Sequence, residues 1–172
     1  TVWQVMALRS AQNAGVPVPK KNIEFAVKYL EKSYNRNPQG FTYEVGRGNR
    51  QFATAAAGLL SMQVCNKLNA PEVEGAANWL AKYNLQPTAR WFFYGTYYYS
   101  QGMQKRKDGD PNSVGSRQAR LARATVERVL IDGNEQKDNG SWTGGKHPES
   151  RYGPVYCTSL AILSLSVKYH FL

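Results

Sequence analysis

The sequence predicts an all-α chain built from helical hairpins, and three observations carry that prediction. Strongly apolar segments alternate with segments that are apolar along one stripe only, both at helical spacing. The one-sided segments begin at Lys20, Pro71 and Ser116, roughly 50 residues apart. Between segments stand Gly, Pro and Asn clusters of the kind that stop helices and make turns.

Taken in order, Thr1 to Ala14 is an apolar helix that ends at Gly15 and the Pro17/Pro19 pair. Its opening residues already read as helix interior, so the chain is expected to be part of a larger ring or chain. Lys20 to Tyr34 places Ile23, Ala26, Val27, Leu30 and Tyr34 on one stripe, with Lys21, Glu24, Lys28, Glu31 and Lys32 off it. A turn ending in aromatics (Gly40, Phe41, Tyr43) and a Gly-rich loop, Gly46 to Asn49, lead into Ala53 to Leu68, apolar almost throughout. Pro71 suits a helix start, and Val73, Ala76, Ala77 and Leu80 then share one side. Trp91 to Met103 is apolar and rich in rings, Lys105 to Gly115 is a polar linker, and Ser116 to Leu130 sets Ala119, Ala122, Val126 and Val129 opposite Arg117, Arg120 and Arg128. Val155 to Val167 closes the order with a helix lacking a polar face.

A helix apolar on nearly all sides must be covered on nearly all sides. Strict alternation therefore implies two layers, with apolar helices inside and amphipathic helices outside, as in an α/α barrel or an arc of one. A single domain over residues 1–172 accommodates this. No stretch approaches the ~20 apolar residues that span a bilayer, so a soluble chain is expected, cytoplasmic or exported. Charged residues number 22 Lys/Arg against 12 Asp/Glu, a net charge of +10 that suits anionic partners without identifying one. Two cysteines, Cys65 and Cys157, form no framework and read as small buried apolar residues.

One motif carries a resemblance. Gln136-x-x-x-Gly140-x-Trp142 is similar to the QxxxGxW repeat of terpenoid cyclases and the related protein prenyltransferases, and Gly40-Phe41 resembles a degenerate copy of it. The chain also resembles bacterial proteins carrying prenyltransferase and squalene-oxidase repeats. The resemblance implies an α/α toroid, in which the motif links an outer helix to the next inner one.

The chemistry of that superfamily is missing from this segment. Cyclisation there uses a DxDD acid, whereas Asp108-Gly-Asp110 is followed by Pro111 and Asn112 and reads as a solvated turn. No carboxylate stands beside Cys65 or Cys157 to suggest the transferase zinc set, and His147 and His170 lie far apart, so no metal or cofactor is expected. The thioester signature GCGEQ is absent, and Gly46-Arg47-Gly48-Asn49 is too short for a phosphate loop. What stands out is aromatic. Trp91, Tyr94, Tyr97 and Tyr98, with Trp3, Trp142, Tyr152 and Tyr156, are the candidates for lining a central cleft that takes an apolar small molecule or peptide. Arg117, Arg120, Arg123 and Arg128 are the candidates for a basic interaction surface; nucleic acid is disfavoured, because the aromatics lie on another helix. The expectation is a binding or scaffold module without catalysis in this segment. The alternatives are the C-terminal part of an isoprenoid cyclase or transferase with its catalytic residues upstream, and a basic-surface interaction protein. A homo-oligomer or the remainder of the chain would complete a ring.

Overall fold

The computed structural model describes residues 1–133, 136–144 and 148–169. Seven α-helices occur among them: α1 (Val2–Asn13), α2 (Lys20–Ser33), α3 (Phe52–Val64), α4 (Pro71–Ala81), α5 (Phe92–Gln104), α6 (Val114–Glu127) and α7 (Gly153–Leu165). A small antiparallel hairpin, β1 (Tyr34–Arg36) and β2 (Gln39–Phe41), joins α2 to α3. The chain is thus largely all-α, as its periodicity predicts.

The odd-numbered helices form a row, with α1 packed on α3, α3 on α5 and α5 on α7; the even-numbered helices lie against them, α4 touching α3 and α6 touching α5 and α7. Two glycines set the closest approach. Gly95 faces Phe52 and Ala53, and Gly102 faces Leu59 and Leu60, so α3 and α5 run parallel and in register. A side chain at either position would push into the neighbouring helix, which is why a helix-weakening residue is used there.

The core is centred on α3, where Ala55, Ala56, Leu59 and Met62 are buried completely. Helix α5 adds Phe92, Phe93, Tyr98, Tyr99 and Met103. The one-sided helices bury the predicted stripes: Val73, Ala76, Ala77 and Leu80 on α4, and Ala119, Ala122 and Val126 on α6. Val129, expected to continue α6, is also buried but falls in a short π-helical turn, Arg128–Asp132.

The two terminal helices of the row depart from the expectation of full burial. On α1 only Val5 is buried, and Trp3 is 67% exposed. On α7 the buried residues are Cys157, Ala161 and Ser164, while Val155 is 79% and Ile162 52% exposed. The reason is positional: an apolar helix at the end of a row has a neighbour on one side only.

The motif that carries the resemblance folds as a closed joint between α6 and α7. Gln136 bridges to Trp142, its side-chain amide donates to the Gly140 carbonyl at 3.0 Å, and Gly140 takes a left-handed φ of 82°. Trp142 is buried, its indole N–H donates to Leu130 O at 2.9 Å, and its backbone N–H is accepted by Thr158 Oγ1. Gly40-Phe41 occupies the matching joint between α2 and α3. Phe41 is buried against Tyr34, and Thr54 Oγ1 of the following helix donates to its carbonyl, as Thr158 does to that of Trp142.

Candidate functional site

The first turns of all four odd-numbered helices open on one cleft of about 730 Å³. Val2 and Trp3 come from α1, Ala53 and Thr54 from α3, Trp91 and Tyr94 from the start of α5, and Tyr152 and Tyr156 from the start of α7. Tyr29 and Leu30 of α2, Phe41 at the end of β2, and Thr42 and Tyr43 after it add to the wall. This volume is ordinary for a small-molecule site. No carboxylate lines it among the described residues, and Arg90 supplies an exposed guanidinium.

The aromatic rings here are not isolated. Trp91 stacks on Tyr152 with centroids 6.2 Å apart, and Tyr152 meets Tyr156 at 5.0 Å. The Arg151 guanidinium covers both Trp91 and Tyr152, at 5.6 and 4.8 Å from the ring centroids, and donates to the Tyr152 hydroxyl at 2.7 Å. Trp91 itself is left-handed, with φ 56° and ψ 49°. A bulky residue rarely adopts that conformation, which costs of order 1 kcal/mol or more and is met most often where function demands a particular side-chain direction. Here it begins α5 while leaving the indole on the cleft wall.

Behind this wall lies Glu149, fully buried. Its carboxylate accepts from the backbone N–H of Phe93 at 2.8 Å, from that of Tyr94 at 3.0 Å and from the Tyr156 hydroxyl at 3.1 Å. Phe93 and Tyr94 occupy the first turn of α5, where N–H groups lack helical acceptors and the helix end favours negative charge. Glu149 thus caps α5 from 56 residues away and ties it to α7. Burial, with the adjacent Glu149 charge and its hydrogen bond, pushes the Tyr156 hydroxyl far above the usual phenol range. It therefore keeps its proton and donates. Burial likewise pushes up Tyr94, and Tyr98 more strongly.

Of the aromatic candidates, the fold brings Trp3, Trp91, Tyr94, Tyr152 and Tyr156 to the cleft. The other three lie elsewhere. Tyr98 is 3% exposed and packs between Tyr94 and Tyr97, Tyr97 is half-buried outside the cleft lining, and Trp142 is the plug of the α6–α7 joint. Tyr29 and Tyr43 line the cleft without having been singled out in the sequence, since they stand on two different segments away from the aromatic run. Gly58 also reaches it, but a side chain there would overlap the Phe41 ring, so this glycine serves close packing.

The four arginines of the candidate basic surface are exposed but engaged locally. Arg117 donates to Asn112 O, Arg120 to Pro111 O at 2.6 Å and Arg128 to Leu85 O, while Arg123 pairs with Glu127 at 3.4 Å. Asp108 is a turn organiser. Its carboxylate accepts from Ser113 Oγ, from Asp110 N and from Ser116 Oγ, which hold it below the usual carboxylate range. Cys157 is buried and Cys65 half-buried; His147 and His170 lie outside the described residues. Among the described residues no helix is long and apolar enough to cross a membrane.

No family model, curated protein or solved structure matches this chain.

Proposed function

We propose that the chain is a binding module of the terpenoid-cyclase and prenyltransferase-like type, its odd helices an arc of an α/α toroid, holding an apolar ligand in the aromatic cleft. The observation that carries this reading is the convergence of four helix starts and their rings on one cleft. A toroid presents its inner-helix ends to a central cavity in this way, and the Gln136–Trp142 and Gly40–Phe41 joints stand where an outer helix feeds the next inner one. Aromatic faces hold apolar or cationic bodies through area burial and ring electrostatics. The buried carboxylate nearest the cleft is committed to two backbone N–H groups and a tyrosine, so it serves architecture rather than acid catalysis. A basic interaction surface is less favoured, because its arginines already hold carbonyls or a carboxylate of their own chain.

The test is a titration with farnesol, and separately with a short apolar peptide, followed by tryptophan fluorescence; Trp3 and Trp91 both face the cleft. A saturable change is expected for one of them, and Trp91→Ala is expected to weaken it about fivefold or more, the effect of losing one stacked aromatic and its buried area. Absence of saturation at millimolar probe, or unchanged affinity in Trp91→Ala, would overturn the proposal.

A further inference from the structure

We infer that the outer face of α2 is a docking surface for an anionic lipid bilayer, with Phe25 entering the boundary of the acyl chains and the surrounding lysines meeting the headgroups. Five residues of this helix, Lys21, Phe25, Lys28, Tyr29 and Lys32, fall within an arc of about 100° at ~100° per residue, and all five are exposed. The residues that α2 buries, Val27, Leu30 and Ser33, lie on the other side. Phe25 is 63% exposed and meets no other ring among the described residues. Lys21, Lys28 and Lys32 hold no ion pair or hydrogen bond among the described residues. The carboxylates of α2, Glu24 and Glu31, fall outside the arc, and Glu24 is engaged by Lys20 at 3.7 Å. Helix α6 differs, because its arginines already hold carbonyls or a carboxylate of their own chain.

Charge and shape select the occupant. Three unpaired ammonium groups around a ring suit a partner that is negative at its surface and apolar just beneath. A bilayer with anionic headgroups has that order. Lysine stems that lie along the apolar boundary while their heads stay wet are the ordinary geometry of an interfacial helix. The stripe runs ~16 Å along α2, so it lies on a surface and does not cross it. A single-stranded nucleic acid also combines charge with rings, but it tracks a groove and stacks its bases on ring faces; a convex helix face offers no groove. The place of the stripe in the fold agrees. Tyr29 stands one turn beyond Phe25 and lines the cleft, as do Trp3 and Tyr43, the latter 81% exposed. Docking through α2 therefore sets the exposed rings of the cleft wall beside the headgroup layer. The surface needs no ligand in the cleft, so vesicle binding is read independently of the function proposed for that cleft.

Co-sedimentation with vesicles tests the inference, using pure phosphatidylcholine and an equimolar mixture of phosphatidylcholine and phosphatidylglycerol. The chain is expected to bind the mixed vesicles and not the neutral ones, and the binding should weaken as salt is raised. Lys21→Gln, Lys28→Gln and Lys32→Gln combined should weaken it about tenfold or more, and Phe25→Ala about threefold or more. Removing the same charge from α6, by Arg117→Gln, Arg120→Gln and Arg123→Gln combined, should change it about threefold at most, since those positions lie off the contact. All seven positions are exposed, so helical circular dichroism should stay unchanged and a loss reports contact. Equal binding to neutral vesicles, equal losses from the α2 and α6 triple variants, no effect of Phe25→Ala, or no binding at all would each overturn it. So would a single-stranded oligonucleotide that binds more tightly than the vesicles and is the ligand whose affinity Phe25→Ala lowers.

Discussion

Glu149 offers the sharpest test of how the cleft is held together. Glu149→Ala removes the acceptor of the Phe93 and Tyr94 N–H groups and of the Tyr156 hydroxyl, at distances of 2.8, 3.0 and 3.1 Å. Each lost acceptor in a buried setting costs about 1–3 kcal/mol. Water entering from the cleft recovers part of that, which leaves about 3–5 kcal/mol, the range found when one partner of a buried charged contact is deleted. Against a typical domain stability of ~5–15 kcal/mol this is a large fraction. Glu149→Gln keeps the shape and one acceptor oxygen but loses the charge at the α5 start and turns an amide N–H toward a backbone donor, so about 1–2 kcal/mol is expected. Urea unfolding at constant m-value reads both. A cost under about 1 kcal/mol for Glu149→Ala, or equal costs for Ala and Gln, would refute the account of Glu149 as the charged cap of α5.

Two further outcomes follow from the same packing. Gly58→Ala gains about 1 kcal/mol of helix propensity but forces the buried Phe41 ring aside, at about 1–3 kcal/mol for overpacking; thermal melts should show net destabilisation, and a raised Tm would contradict the close approach at Gly58. The tyrosines predict alkaline lability. Burial pushes Tyr99 up to about 12 and Tyr98 higher still. The folded state therefore keeps these protons, and that of Tyr156, after the unfolded chain begins to lose them near pH 10, so the stability they contribute is intact below pH 10 and falls above it, with a slope that corresponds to at least two protons. Unfolding free energies measured from pH 8 to 11.5 should bend downward above 10; a flat profile would contradict the burial of these phenols.

Helix positions were legible because their signals are local. The stripe Val73, Ala76, Ala77 and Leu80 specifies which side of α4 is buried, and Pro71 specifies where that helix begins. The cleft was only half legible, for a geometric reason. Periodicity gives a residue's angle about the helix axis but not its depth along it. Trp91 and Tyr94 reach the cleft by standing at the start of α5, whereas Tyr97 and Tyr98 lie about a turn deeper and do not. Glu149 was invisible for another reason. Caps are recognised in sequence by residues adjacent to the helix they serve, and this one acts from another segment, so its neighbours Pro148 and Ser150 suggest only a polar loop. Trp142 misleads in the opposite direction, because an aromatic beside a glycine turn suits a cleft wall and a buried plug equally; the Leu130 carbonyl, reached by the indole N–H, settles it as a plug.

The claim on which the functional reading stands is that the starts of α1, α3, α5 and α7 share one ligand. Backbone hydrogen exchange with and without saturating farnesol measures this directly. The account predicts slowed exchange in the first turns of α1, α3, α5 and α7 and around Phe41 to Tyr43, with the C-terminal ends of the same helices unchanged. Protection confined to the C-terminal ends, to α6, or to no segment at all would contradict it.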